Sequence, residues 1–378
     1  MKRYQQEIIR PVWAEIDRAA LRHNFSAIRR VIGPEVQQMA VVKAEAYGHG
    51  AVEVARVALQ AGASWLGVAM PEEGIALRKA GLTAPILVFA PLQAEQAAVF
   101  LEHDLTPTVC GLEPVVALAR LAVKQRRTAV VHVKIDTGMG RVGVAYPEAL
   151  KFLAKLALIP GIKVDGLFSH LATADQADKQ YAQLQARRFD DIVKRLTEAG
   201  LLPSKVHLAN SAATLEMPET RYRMVRTGII QYGLYPSSEV DHSKIALQAV
   251  FSLKAKVIQV KKVAAGAGIS YGQHYHTTRE ATIATLPLGY ADGWSRRLSP
   301  RSEVLIGGKR YPIVGTICMD QCMVDLGKDE VEVGAEAVLL GKQGKERITA
   351  DELAEKLGTI NYEITCMISD RVPRIYVN

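Results

Sequence analysis

The feature that most constrains the fold is a regular alternation of short apolar strands and longer helical segments, which begins near residue 38. The strand segments are rich in β-branched residues, and the segments between them carry Ala, Leu, Glu and Arg at helical spacing. Strands that are apolar along their whole length are typical of a parallel sheet covered on both faces. Eight strands are predicted, at 39–44, 65–69, 86–90, 107–110, 130–135, 164–169, 205–209 and 224–230.

This alternation predicts an α/β fold, and eight units over about 200 residues favour a closed (β/α)8 barrel. An open, doubly wound parallel sheet is the other interpretation. After about residue 240 the pattern changes to two-residue alternation with Gly-rich turns, which predicts a mostly β domain with one helix at TADELAEKLG. We therefore predict a barrel at 13–245, a C-terminal β domain at 246–378 and an N-terminal strand at 1–12 that joins the β domain, with PVWAEID as the strand sequence.

Charge and cysteine content exclude several classes of function. The formal net charge is +8, but the basic residues are scattered, so neither a nucleic-acid partner nor a membrane surface is indicated. No stretch is apolar enough for a membrane span or a signal peptide. The four cysteines form no C-x-x-C pair and no metal-ligand spacing, which favours free thiols, no metal and a cytoplasmic protein: Cys110, Cys318, Cys322 and Cys366.

Polar and titratable residues follow five of the eight predicted strands. The active site of a (β/α)8 barrel lies at the C-terminal ends of its strands, so these side chains should converge there. In chain order they are Lys43 and Tyr47; Lys134, Asp136 and Arg141; Ser169 and His170; Asn210 and Ser211; and Arg226, Gly228 and Ile229.

Each of these residues alone has an ordinary structural explanation. Lys43 could extend to solvent, His170 could be a hydrogen-bonded core histidine, and Ser211 with Gly228 could belong to a turn. Their coincidence favours function, because hydroxyl and N–H donors after the last two strands are where many barrels hold a phosphate. A lysine after the first strand, facing such a site, indicates a Schiff base with pyridoxal 5'-phosphate (PLP).

The motif VVKAEAYGHG at 41–50 closely resembles the PLP-lysine motif of the alanine racemases. Further motifs match that family in the same order along nearly the whole chain: KIDTGMGRVG, GLFSHLATAD, HLANSAATL, VRTGIIQYGLYP, SYGQ, LPLGYADG, ICMDQ, INYEI and RVPR. The resemblance implies a PLP-binding barrel followed by a C-terminal β domain. It also implies a homodimer with shared active sites that racemises L-alanine to D-alanine for peptidoglycan synthesis.

The resemblance assigns two catalytic bases. Lys43 would hold PLP and then act as one base, and Tyr271 of the partner subunit would be the other. Racemisation needs a proton donor or acceptor on each face of Cα. His170 would stand beside Tyr271, with Arg226 beyond it and facing the pyridine nitrogen. A guanidinium cannot protonate that nitrogen, so the ring would be a weaker electron sink.

The remaining roles also follow from the resemblance. Arg141 and the Met319 main chain would bind the substrate carboxylate, and Lys134 would be carbamylated and orient Arg141. The phosphate contacts would be Tyr47, Ser211, Gly228, Ile229 and Tyr362. The entrance and supporting positions would be Tyr290, Arg297, Asp320 and Asn210.

Two positions depart from the family pattern, and three other functions remain to be weighed. Glu45 stands where Asp is common, and Thr316 where Arg is common. The nearest alternative is a racemase of broader specificity that also takes serine. A PLP-barrel decarboxylase would carry an acidic residue in place of Arg226, and a single-barrel PLP carrier would lack the β domain.

Overall fold

The structure is a computed structural model that describes residues 9–378. Residues 1–8 of the segment predicted as an N-terminal strand lie outside the described residues. The chain divides into two compact units: one comprises 20–46 and 50–248, and the other comprises the segment up to Ala19, 47–49 and 249–378. The boundary between residues 248 and 249 falls near the predicted limit at 245. The predicted domain limits themselves stay a prediction.

The larger unit is a (β/α)8 barrel, as predicted. Its eight strands are parallel, and neighbours along the chain are neighbours in the sheet, with the last strand pairing the first. Numbering starts at an N-terminal strand outside the barrel, β1 (Val12–Asp17). The eight barrel strands are β2 (Gln37–Val41), β3 (Trp65–Val68), β4 (Ile86–Pro91), β5 (Thr106–Val109), β6 (Ala129–Asp136), β8 (Ile162–Phe168), β9 (Lys205–His207) and β10 (Met224–Thr227). The two-residue strand β7 (Val144–Ala145) pairs with β6 alone.

The barrel closes between β9 and β10 through two backbone hydrogen bonds. Arg223 N donates to Val206 O at 3.2 Å, and Arg226 N donates to Ala209 O at 3.0 Å. Side chains from β2, β3, β4, β8 and β10 fill the interior, as the continuous apolar strands required: Met39, Trp65, Leu87, Phe168 and Met224. The barrel is therefore a packed core, and any site must lie at its mouth.

Between Arg18 and Glu216, nine α-helices precede or connect the strands of the barrel. Their bounds are α1 (Arg18–Ile32), α2 (Lys43–Gly48), α3 (Ala51–Gln60), α4 (Pro71–Lys79), α5 (Ala97–Glu102), α6 (Leu112–Lys124), α7 (Ala149–Ala157), α8 (Gln180–Glu198) and α9 (Ser211–Glu216).

Two strand ends differ from the prediction in ways that concern the site. Strand β2 ends at Val41, so Lys43 begins α2 and is not the last residue of a strand. Strand β10 ends at Thr227, so Gly228 and Ile229 belong to the turn that follows. Both changes move functional residues from rigid strand geometry to the connecting turns, where barrels build their sites.

The smaller unit is mostly β, as predicted. Its strands are β11 (Phe251–Lys256), β12 (Gln259–Val263), β13 (Gly268–Ile269), β14 (Tyr275–His276), β15 (Ala281–Leu286), β16 (Glu303–Ile306), β17 (Lys309–Val314), β18 (Cys322–Asp325), β19 (Glu336–Gln343), β20 (Glu346–Ile348) and β21 (Arg374–Val377), together with β1. One large sheet has the strand order β12-β15-β18-β17-β16-β19-β11-β1-β21, β20 pairs with β19, and β13 and β14 form a separate ribbon.

The first strand belongs to this sheet. Strand β1 pairs antiparallel with β11 and parallel with β21, so residues Val12–Asp17 join the C-terminal strands. The strand runs past residue 12, where the N-terminal segment was predicted to end. The predicted helix is α10 (Ala350–Leu357), capped by the Thr349 hydroxyl on Glu352 N at 3.0 Å, and a second short helix, α11 (Asn361–Cys366), was not predicted.

No helix within residues 9–378 is both long and apolar enough to cross a bilayer. Over the same residues, no group of three or more His, Cys, Asp or Glu side chains is placed to hold a metal ion.

Candidate active site

Lys43 is followed by a turn of left-handed backbone. Ala44, Glu45, Ala46 and Tyr47 have φ between 51° and 56°, a conformation that single non-glycine residues adopt rarely and four in succession hardly at all. Each such residue costs about 1–2 kcal/mol relative to a right-handed turn. The turn persists only if surrounding contacts determine it, which is common at functional sites.

Buried contacts on both sides hold this turn. Before it, the carbonyl of Val41 accepts hydrogen bonds from Gln231 Nε2 and Tyr232 Oη, both at 2.8 Å, and both donors are fully buried. After it, the Glu45 carboxylate accepts from Ala51 N, the first residue of α3, at 3.1 Å. Glu45, the longer residue where Asp is common, therefore caps the next helix.

Arg226 is buried in the barrel mouth, and its two Nη atoms lie within hydrogen-bond distance of five acceptors. Their four hydrogens are shared among three main-chain oxygens and two imidazole nitrogens: Ser169 O (2.7 Å), His207 O (2.8 Å), Leu208 O (2.9 Å), His207 Nδ1 (3.0 Å) and His170 Nδ1 (3.3 Å). Burial lowers the pKa of Arg226 to about 9. A side chain that only donates, surrounded by five acceptors, is held in its cationic form at neutral pH.

The guanidinium fixes the tautomers of three histidines. Because Arg226 can only donate, Nδ1 of both His170 and His207 must accept, and their protons lie on Nε2. His207 Nε2 then donates to His132 Nδ1 at 3.0 Å, which places the proton of His132 on Nε2 as well. That last nitrogen is buried without a hydrogen-bond partner among residues 9–378. The chain of bonds therefore has one direction, outward from Arg226.

Four cations converge on His170 from three strand ends. Desolvation of the ring lowers the pKa of His170 well below its ordinary value, and the positive charges of Arg226, Lys134, Arg141 and Lys43 lower it further. Burial, with Arg226 and Arg141, likewise lowers the pKa of Lys134 to about 8, against smaller opposing effects of Cys110 and Asp136. These charges give the mouth of the barrel a strongly positive electrostatic potential.

The nearby carboxylate of Asp136 is engaged elsewhere. Its oxygens accept from Gly138 N at 2.9 Å and from Gly140 N at 3.0 and 3.1 Å, and so shape the loop that carries Arg141. The cations therefore suit an anionic ligand better than an internal ion pair.

The ends of β9 and β10 supply donors for such an anion. The Ser211 hydroxyl accepts from Gly228 N at 2.9 Å, so the two turns are joined. Asn210 is the N-cap of α9 through its side-chain oxygen on Ala213 N at 3.0 Å, a structural role. The hydroxyl O–H of Ser211 and the N–H of Ile229 lie at the starts of the two helical turns, which suits a phosphate.

In the smaller unit, the predicted residues are mostly exposed. The side chain of Tyr271 is 73% exposed, Met319 53% and Tyr290 42%. Arg297 is exposed, and Asp320 pairs with Arg371 at 2.7 Å. Thr316 has a clear local function, because its hydroxyl donates to the main-chain oxygen of Tyr271 at 3.0 Å.

Tyr47 and Tyr362 lie together in the smaller unit. Their ring centroids are 6.0 Å apart, with the planes tilted by 44°. Burial, and then the charge of Cys366, raises the pKa of Tyr47, so its hydroxyl remains a hydrogen-bond donor at neutral pH.

Comparison with known proteins identifies the family. Residues 16–236 match the family model for the alanine racemase N-terminal domain, and residues 250–376 match the model for the C-terminal domain. Alanine racemase of Desulforamulus reducens is 48% identical over 369 residues, covering 97% of this chain and 99% of the relative. The chain belongs to the alanine racemase family.

Solved alanine racemases have the same fold. The structure from Clostridium difficile 630 is 41% identical with a TM-score of 0.93, covering 98% of this chain and 97% of that one. The structure from Bacillus anthracis with bound L-Ala-P is 44% identical with a TM-score of 0.92, covering 98% and 95%. Alanine racemases are PLP-dependent isomerases, and the cationic mouth with its hydroxyl and N–H donors fits that anionic cofactor.

Several residues of this racemase site were not singled out from the sequence. One of them is His132, which lies two residues before the predicted Lys134 in β6 and therefore on the same face of the strand. That spacing could have identified His132. His207 was visible only as a polar residue within an apolar strand. Gln231 and Tyr232 gave no signal, because their common acceptor, Val41 O, is about 190 residues away.

We expect the racemase to lose stability in acid through two buried histidines. Burial lowers the pKa of His132 to about 3 and that of His207 well below its ordinary value. The unfolded chain therefore binds more protons below pH 6.5, and stability falls as pH decreases, by about 3 kcal/mol per pH unit for two histidines. Urea midpoints between pH 7.5 and 5 test this, and His132→Gln should show a shallower decline; an equal slope in the variant contradicts the assignment.

Proposed function

We propose that this chain racemises alanine with two bases, Lys43 and Tyr271 of a second copy of the chain. The observation that carries the proposal is the convergence of Lys43, Arg141 and Arg226 on the half-buried ring of His170, which Arg226 contacts at 3.3 Å. A site so rich in cations suits a phosphorylated cofactor together with a substrate carboxylate. PLP, when bound, withdraws electrons from the substrate Cα and so acidifies its hydrogen.

All but one of the residues that would hold PLP lie in or follow strands of the barrel, the exception being Tyr362 in α11. Lys43 would hold the carbonyl carbon through Nζ. The phosphate would be bound by Tyr47, Ser211, Gly228, Ile229 and Tyr362. Arg226 would face the pyridine nitrogen, and its Nε–H, which none of the five described contacts uses, would be the donor. A donor that keeps its proton favours racemisation over reactions that need a protonated ring.

The two bases act on opposite faces of Cα. The Lys43 amine removes or returns a proton on one face, and the Tyr271 phenol does so on the other. Because Arg226 faces His170 Nδ1, the proton of His170 lies on Nε2, where it can donate to the Tyr271 oxygen. That hydrogen bond would stabilise the negative charge that develops on the Tyr271 oxygen as its proton leaves.

Arg141 and the Met319 main-chain N–H would bind the substrate carboxylate. The lowered pKa of Lys134 keeps part of its amine neutral, and a neutral amine adds to carbon dioxide with formation of an N–C bond and loss of one proton. We therefore propose that Lys134 is carbamylated and that the resulting anion orients Arg141. Tyr290, Arg297 and Asp320 would line the entrance for a small amino acid.

The enzyme would be a homodimer, which is supported by the exposure of Tyr271, Tyr290 and Met319. Its product would supply peptidoglycan synthesis, and the cytoplasmic location stays a prediction. The PLP-barrel decarboxylase is disfavoured because a guanidinium, and not a carboxylate, would face the pyridine nitrogen.

The deciding experiment follows the Cα hydrogen. Purified protein is incubated with PLP and L-alanine in heavy water, and the products are separated by chiral chromatography with mass detection. We expect D-alanine that carries deuterium at Cα. Exchange without inversion would remove the Tyr271 half of the mechanism, and release of an amine with no exchange would replace the racemase by a decarboxylase.

A further inference from the structure

The carboxylate of Glu73 joins the ends of two neighbouring barrel strands. Glu73 lies in the first turn of α4, and its Oε2 accepts from Ala69 N at 2.6 Å and Met70 N at 3.2 Å, directly after β3. Its Oε1 accepts from Ala44 N at 2.7 Å, directly after Lys43. Strands β2 and β3 are paired in the barrel, so one side chain spans the gap between their two connecting turns.

The hydrogen bond to Ala44 N acts on the backbone of Lys43. Ala44 N–H belongs to the peptide plane that starts at the carbonyl carbon of Lys43, so fixing its direction fixes ψ of Lys43. Ala44 is also the first of the four left-handed residues. Strained backbone of this kind is retained only where contacts determine it. Glu73 supplies such a contact, because it accepts a hydrogen bond from the first N–H of the left-handed segment.

We propose that Glu73 is a positioning residue for Lys43. It holds the peptide plane after the lysine, and through it the direction in which the lysine side chain leaves the backbone. This inference rests on the proposed role of Lys43 as the residue that binds PLP. The carboxylate is suited to the task because its two acceptor oxygens serve three N–H donors, whereas a glutamine amide has one oxygen and would turn N–H groups toward N–H groups.

The competing explanation is that Glu73 only caps α4. Its bond to Met70 N is the helix-side half of a capping box, and loss of a cap lowers stability wherever it occurs. Stability therefore cannot separate the two roles. The reactivity of Lys43 can, because a cap that acts on α4 alone has no reason to change it.

The test compares Glu73→Gln with two matched controls. Glu72→Gln makes the same change of charge at an exposed neighbour on the same helix. Thr349→Ala removes the described N-cap of α10 in the other unit and so reports a loss of cap alone. PLP is added to each apoprotein, and the rate of its attachment is followed by absorbance at several pH values. Borohydride reduction and peptide mapping then show whether Lys43 is the residue modified.

We expect Glu73→Gln to slow attachment at Lys43 by about 10²-fold, the usual cost of misplacing a reacting group by 1 Å. Its pH profile should also shift, whereas both controls should react like the unchanged chain. A Glu73→Gln protein with a lower melting temperature but unchanged attachment overturns the positioning role. If Glu73→Gln does not fold, Glu73→Asp, which keeps the charge but is one methylene shorter, is measured with the same two outcomes.

The same data separate this inference from the function on which it rests. If the unchanged protein attaches PLP at a residue other than Lys43, the proposed function fails and the positioning role fails with it. If the unchanged protein attaches PLP at Lys43 and Glu73→Gln does so equally fast, only the positioning role fails.

Discussion

Lys43→Ala is expected to abolish both the covalent attachment of PLP and the racemisation of alanine. The amine is the only proposed attachment point and one of the two bases, and loss of a base alone costs about 10²–10⁴-fold in rate. Absorbance of the purified protein with PLP, together with chiral analysis of alanine, measures both losses. Folding should be preserved, because Lys43 is partly exposed at the barrel mouth.

Lys79→Ala is the matched control for that experiment. Lys79 lies on the exposed side of α4, in the next βα unit, and its removal makes the same change of charge. It should leave attachment and turnover as they are. Turnover above a trace in Lys43→Ala would contradict the proposed mechanism, because no other residue is assigned to its face of Cα.

The barrel and the identity of its polar residues could be predicted because both depend on local pattern. Uninterrupted apolar strands determine parallel pairing, and polar residues that follow several such strands must meet at one end of the barrel. Lys43, Lys134, Arg141 and Arg226 were found in this way, and the structure brings their charges together around His170. The roles carried over from the family for the remaining residues stay predictions.

The geometry of the lysine turn could not be predicted, because it opposes local preference. A segment reading Ala-Glu-Ala-Tyr favours a right-handed helix, and only distant contacts make it left-handed. Those contacts come from Glu73, which lies 29 residues from its donor Ala44, and from Gln231 and Tyr232, which lie 190 and 191 residues from their acceptor Val41. The His132–His207 bond, across 75 residues, is of the same kind. Cross-strand neighbours of this type become visible only when the barrel is closed.

Tyr271→Phe is expected to lower racemisation by about 10²–10⁴-fold, the usual contribution of one acid–base group. Because two enantiomers have equal free energy, the loss must be equal in both directions. PLP should stay bound through Lys43, and one enantiomer alone should still exchange its Cα hydrogen with heavy water. Tyr311→Phe, which removes a hydroxyl bound to Asp329 at 2.6 Å in the same unit, is the control and should racemise normally.

Mixing the two inactive variants then shows which copy of the chain supplies Tyr271. In a dimer formed from one Lys43→Ala chain and one Tyr271→Phe chain, Lys43 of the second and Tyr271 of the first make one complete site, provided that the sites are shared. Random pairing gives one half mixed dimers with one of two sites intact, so co-expression should restore about a quarter of the normal activity. If each chain used its own Tyr271, every site would lack one base and no activity would return. The 73% exposure of the Tyr271 side chain favours the first result, since a base that acts within its own chain would be covered by it.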